Sequence, residues 1–141
     1  MKAYPFITKV NHIGVATKDY KSTAAFYEAV GYHETVGGYD PNQNVYGYFY
    51  EAEGNPTIEL LAPYDEKSPI NKILEKNGVT PYHLCYEINS SIEDAIKEMK
   101  ADRFMAISKP AYSEYLKGRV CFLFHREVGI VELLEYERIR E

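Results

Sequence analysis

The stretch NHIGV, residues 11–15, returns as YHLCY, residues 82–86, and IELLAP, residues 58–63, returns as VELLEY, residues 131–136. Each reads as a strand, because apolar, β-branched and aromatic residues dominate it. Working outward from VNHIGVA, residues 10–16, the pattern predicts a strand over Val10–Thr17. A helix over Tyr20–Val30 follows, with Asp19 as its N-cap, Gly31 past its end, and a stripe of Ala24, Phe26, Tyr27 and Val30. A short strand near Tyr32–Val36, a turn through GGYDPNQN, a strand at Val45–Glu51 and the strand TIELLA after EGNP complete a βαβββ series. SPINKILEK predicts a short linker helix, with Ser68 as cap and Pro69 at its first position. The series then restarts: YHLCYEI, the amphipathic helix SSIEDAIKEMK capped by Ser90 or Ser91, then RFMAIS, GRVCFLF and IVELLEY. The expected fold class is α+β, built of paired βαβββ modules. The expected organisation is a single domain over 1–141, made of a module over 10–62, a linker helix over 63–80 and a module over 81–136.

Bulk properties narrow the function. At 141 residues, 45% hydrophobic and 26% charged, the chain suits one packed domain and not a disordered segment. Its net charge of −5 comes from interspersed acids and bases, so no basic stripe exists to neutralise phosphates, and nucleic acid is excluded as a partner. No apolar run reaches the length of a membrane span, and MKAYPFITKV lacks a signal-peptide core. The expectation is a cytoplasmic protein with no membrane partner, in which Cys85 and Cys121 are buried reduced thiols. Fourteen tyrosines and no tryptophan supply rings with polar tips that can line a pocket or an interface.

A strand that spends an interior position on an imidazole must give it a partner or a ligand role. His12 and Glu59 are 47 positions apart, and His83 and Glu132 are 49 apart, so each half places a histidine on its first strand and a glutamate on its last. Should the halves pack about a pseudo-twofold axis, the four side chains converge. Two imidazoles and two carboxylates suit one divalent ion, Zn²⁺, Ni²⁺, Co²⁺ or Mn²⁺, and on an octahedral ion they leave two positions open for Lewis-acid chemistry. Taken singly, a strand histidine is more often a hydrogen-bonded core residue, and a strand glutamate more often faces solvent. The repetition lifts the set above those readings.

The segments HIGVATKDYKSTAAFYEAVGY, IELLAPYDEKSPINKILEKNG, HLCYEI and FLFHREVGIVELLEY carry a resemblance to the vicinal oxygen chelate superfamily, which includes glyoxalase I and the methylmalonyl-CoA epimerases. The resemblance runs from about Val10 to Tyr136. It implies a divalent ion held between paired modules, frequent homodimers, and a small-molecule carbonyl or thioester substrate. The implied activity is a metal-dependent isomerase or lyase that abstracts a proton next to a metal-polarised carbonyl, either epimerase-like or glyoxalase I (lactoylglutathione lyase)-like. The family's epimerases use His, Gln, His and Glu as ligands, so Glu59 departs from them and agrees with the glyoxalases. Their catalytic glutamate aligns with Gly47, which cannot take a proton. The base is then Glu132, swinging off the ion, or Glu51, which alternation puts on the same strand face as Gly47 and Phe49. LKGRV resembles a basic epimerase loop, which makes Lys117 and Arg119 candidates for binding an anionic substrate tail. His33 and His125 read as surface residues. The alternative is a metal-free small-molecule or antibiotic-binding protein of the same fold; the presence of the quartet counts against it.

Overall fold

A computed structural model describes residues 1–136 of the protein. The elements are β1 (Ile7–Ala16), α1 (Tyr20–Ala29), β2 (His33–Asp40), β3 (Val45–Glu51), β4 (Ile58–Pro63), α2 (Ile70–Asn77), β5 (Thr80–Ile88), α3 (Ile92–Lys100), β6 (Met105–Ala106), β7 (Ala111–Ser113), β8 (Gly118–His125) and β9 (Gly129–Tyr136). The backbone divides into two compact units, His12–Tyr82 and Met1–Asn11 with the chain from His83 onward. The division falls within β1, between Asn11 and His12, and within β5, between Tyr82 and His83. The fold class is the expected α+β one: the strands of the first unit run in the order β2-β3-β4-β1 and those of the second in the order β5-β9-β8-β6, with β7 on β8.

In the first unit β1 pairs with β4 in parallel, from Ile13 beside Ile58 to Ala16 beside Leu61, while β3 is antiparallel to both β4 and β2. One sheet face packs on α1 through Val15, Ala24, Tyr50, Ile58 and Leu60, with Tyr20, Tyr27, Tyr32 and Tyr48 around them. The opposite face packs Val45 and Leu61 against Ile70 of α2. The α1 stripe differs from the expected one. Phe26 and Val30 are more than half exposed, and only Ala24 is buried. Asp19 caps the helix as its sequence position requires, accepting from the Lys21 and Ser22 N–H groups. Ser68 does not cap α2: Pro69 occupies the N-cap, and the Ser68 carbonyl, not its hydroxyl, accepts from the Asn71 N–H.

The glycines of GGYDPNQN belong to a strand, not to a turn. β2 continues to Asp40, which pairs with Val45, leaving only residues 41–44 as the turn. A Cβ on Gly37 would sit 2.5 Å from the Gly47 carbonyl oxygen, so glycine permits the close strand approach there.

The second unit repeats the scheme. β5 pairs with β9 in parallel and β9 with β8 antiparallel. Its helix-facing core is mainly aliphatic: Ile92, Ala95 and Met99 of α3 pack on Ile88, Cys121, Leu123, Val131 and Leu133, with the Phe104 ring buried among them. Ser91 is the cap, accepting from the Asp94 N–H. RFMAIS forms a strand only at Met105–Ala106, because α3 unwinds through Arg103 at φ 75° and Ser108 uses its side chain to accept from the Phe122 N–H. The short β7 falls in a stretch where the sequence predicts none.

Candidate functional site

Each unit carries one histidine–glutamate pair, and register explains how. In the first unit the β1–β4 pairing sets Gly14 beside Glu59, and the β3–β4 pairing sets Phe49 beside it. His12 precedes Gly14 by two residues, so alternation turns its ring to the face that carries Glu59. His12 Nε2 lies 3.0 Å from Glu59 Oε1. The Phe49 ring stands edge-on to the imidazole, with centroids 5.3 Å apart and planes at 87°. His12 is wholly buried and Glu59 is 6% exposed.

In the second unit Glu132 lies beside Cys85 of β5 and Phe122 of β8. His83 precedes Cys85 by two residues, and its Nε2 is 3.0 Å from Glu132 Oε1. Phe122 meets the His83 ring at 5.2 Å and 89°. Glu132 is 1% exposed. The sequence reading does not single out Phe49 or Phe122. Yet each lies ten positions before its glutamate, so the repeat that exposes the histidines carried that signal too. An aromatic edge-to-face contact narrows the rotamers open to the imidazole and aims its Nε2.

The donor chemistry fits a metal ion. A carboxylate at this depth requires a partner or a cation. Two donors held at right angles on one ion at roughly 2.1 Å are about 3.0 Å apart, so the spacing in each pair suits neighbouring ligands as well as a hydrogen bond. All four residues are buried and each offers one ligand atom, so the buried His/Glu group could bind a metal.

The remaining candidates lie elsewhere. Glu51 is exposed at the end of β3, beyond Phe49. Lys117 is exposed in the turn before β8, at φ 57°. Arg119 is already engaged: its guanidinium donates to both Glu93 oxygens at 2.8 Å and to Glu135 at 2.7 and 3.1 Å. Those hydrogen bonds push the Arg119 pKa up and hold Glu93 down at about 2, with Glu135 also lowered. Glu135 Oε2 also accepts from the Ile92 N–H, so the group ties the start of α3 to β8 and β9. Arg119, expected from sequence to meet a substrate anion, is thus placed between two carboxylates of its own chain. His125, read as a surface residue, is 9% exposed; its Nδ1 accepts from the Glu127 N–H and its ring lies on Phe104.

Residues 11–122 match the Glyoxalase/Bleomycin resistance protein/Dioxygenase superfamily. The chain is 33% identical over 135 residues to the ethylmalonyl-CoA/methylmalonyl-CoA epimerase of Cereibacter sphaeroides, covering 90% of this chain and 97% of that protein. It is 30% identical over 132 residues to the human mitochondrial methylmalonyl-CoA epimerase, covering 92% and 73%. Its fold matches the crystal structure of methylmalonyl-CoA epimerase from Mycobacterium tuberculosis with a TM-score of 0.83 at 22% identity, covering 98% and 94%. With a family match across most of its length and relatives this similar from end to end, the chain belongs to the Glyoxalase/Bleomycin resistance protein/Dioxygenase superfamily.

Proposed function

We propose that the chain is a CoA-thioester epimerase in which His12, Glu59, His83 and Glu132 together hold one divalent ion, zinc, nickel, cobalt or manganese. The observation that carries this reading is the duplicated pair: the same residue types, at the same 3.0 Å spacing, buried in both units. Two carboxylates bring the two negative charges that a divalent ion balances, and an imidazole–carboxylate set suits such ions. Two relatives are by name epimerases of ethylmalonyl-CoA or methylmalonyl-CoA.

When bound, the ion supplies Lewis-acid polarisation of the thioester carbonyl, which acidifies the neighbouring C–H. Phe49 and Phe122 keep the two Nε2 atoms aimed. Glu132 takes the α-proton on a carboxylate oxygen. Epimerisation removes a proton from one face and returns one to the other, so it draws on a second carboxylate, and Glu59 fills that role better than the exposed Glu51. Lys117 meets an anionic substrate tail. The protein works as a cytoplasmic homodimer; its two buried free thiols suit a reducing compartment, and no described helix is long and apolar enough to cross a membrane. A glyoxalase I-like lyase acting on a hemithioacetal is the second reading, favoured by a glutamate at position 59 where the family's epimerases carry glutamine.

The test begins with metal analysis of the purified protein, which should show one divalent ion per chain. Incubated in D₂O with methylmalonyl-CoA, the holoprotein should wash deuterium into the α-carbon, stop on chelation and resume when metal is restored. Glu132→Gln should slow exchange by about 10²–10⁴-fold while still taking up metal. Exchange into a glutathione hemithioacetal, with none into the thioester, would transfer the assignment to the lyase. Exchange into neither would end both.

A further inference from the structure

Glu59 uses Oε1 toward His12, and its other oxygen lies against bare backbone. A Cβ built on Gly47 would meet Glu59 Oε2 at 2.6 Å, and the next nearest atoms are the Cδ and Cγ of the same side chain. Such an approach is too close for any real side chain, so no residue with a Cβ fits at position 47 while Glu59 keeps this conformation. The backbone does not explain the glycine: among the described residues with positive φ, Gly47 is absent. Nor does the topology. Val120 holds the same place in the second unit, twelve positions before its glutamate and paired with Leu134 as Gly47 is paired with Leu61. There a β-branched side chain is buried without difficulty.

We propose that Gly47 is a positioning residue for Glu59: the missing side chain on β3 lets the carboxylate face His12 through one oxygen and lay the other against β3. The inner face of β3 thereby presents a carboxylate oxygen without bearing a carboxylate of its own. In this way the strand keeps an anionic group at a place where its own residue offers none. The proposal deepens the metal-site reading and rests on it for its functional consequence, although the steric relation between the two residues stands without a metal.

Gly47→Ala tests it in two readouts. In the crystal structure of the metal-free variant, the Glu59 carboxylate is displaced from His12, whereas the metal-free wild type keeps the 3.0 Å spacing. An unmoved carboxylate overturns the proposal whether or not the protein binds a metal. In a metal competition titration, Gly47→Ala weakens affinity by about 10–100-fold, the scale on which loss of ligand support acts. In the Glu59→Ala background the same change has no further effect, since the obstacle is gone. A displaced carboxylate with unaltered affinity, or an equal loss in both backgrounds, overturns it. Should Gly47→Ala fail to fold, the double variant decides: it folds if Glu59 is the obstacle and fails if the backbone needs the glycine. A wild type that takes up no metal defeats the metal-site reading instead, and the crystal structures still decide the steric claim.

Discussion

The two units repeat their inner faces more closely than their outer ones. Phenylalanine, histidine and glutamate recur with ring separations of 5.3 and 5.2 Å and donor spacings of 3.0 Å in both. The helix sides diverge. α3 buries Ile92, Ala95 and Met99 in a mainly aliphatic core that also holds Phe104, whereas α1 buries Ala24 alone and leans on tyrosines, with Tyr20 stacked on Tyr48 at 3.9 Å and the Tyr50 hydroxyl donating to Glu34. The difference shows what fixes the donor geometry. Strand register and alternation set which side chains meet, so the pair survives a change of packing on the far face.

The comparison is most exposed to breakage at the helices. Met99→Ala opens a cavity in a closed aliphatic core and should cost about 2–5 kcal/mol in urea denaturation. Phe26→Ala on α1 should cost less than about 0.5 kcal/mol, because the ring is mostly in solvent. Equal losses would mean that the tyrosine-rich side is as tightly packed as the aliphatic one. On the inner faces the expectation is reversed: the units should behave alike. His12→Ala and His83→Ala should each lower metal affinity by more than about 100-fold, equivalent to about 2.7 kcal/mol, in the same competition assay. Loss from only one of them would show that a single pair binds the ion.

Much of this was legible in the sequence because it depends on period. The histidines and glutamates stand out through their spacing, and the caps Asp19 and Ser91 through their chemistry. What escaped depends on three-dimensional neighbours. Gly37 reads as a turn residue, since glycine's tolerance of turns and its tolerance of close strand approach leave the same letter in the sequence. The pairing of Arg119 leaves no local mark, because its partners Glu93 and Glu135 are 26 and 16 positions away. Phe26 fits the helical stripe by letter, and only the placement of the tyrosines around α1 shows that its face is not the one covered.

The caps give a smaller and sharper contrast. Ser91 accepts one N–H, from Asp94, while Asp19 accepts two and also receives the Ser22 hydroxyl at 2.7 Å. Each change to alanine should cost about 0.5–2 kcal/mol, with Asp19→Ala the larger. Thermal melts of the two variants measured side by side test the ranking, and a costlier Ser91→Ala would show that burial of α3 amplifies its cap.

The smallest expected effect comes from a charged feature that the units do not share. Where β8 pairs Arg119 with Glu135, β3 pairs Tyr46 with Ala62, and Tyr46 joins Tyr39 and Tyr64 in a partly exposed ring cluster. Acid should therefore weaken the second unit through Arg119 and leave the tyrosine cluster untouched. Hydrogen bonds from Arg119 lower the Glu93 pKa to about 2 and lower that of Glu135 as well. A carboxylate whose folded pKa is depressed stabilises the fold at pH values above its unfolded pKa, near 4.3, and that contribution is lost as pH falls through the folded value. The stability difference between wild type and Arg119→Gln should then be constant above about pH 5 and shrink steadily toward pH 2. Glu93 is largely in solvent, so the slope should be shallow and should flatten further in high salt. Urea midpoints across that range decide it: a difference that persists to pH 2 would mean that Arg119 acts through the packing of its aliphatic stem, not through its two carboxylates.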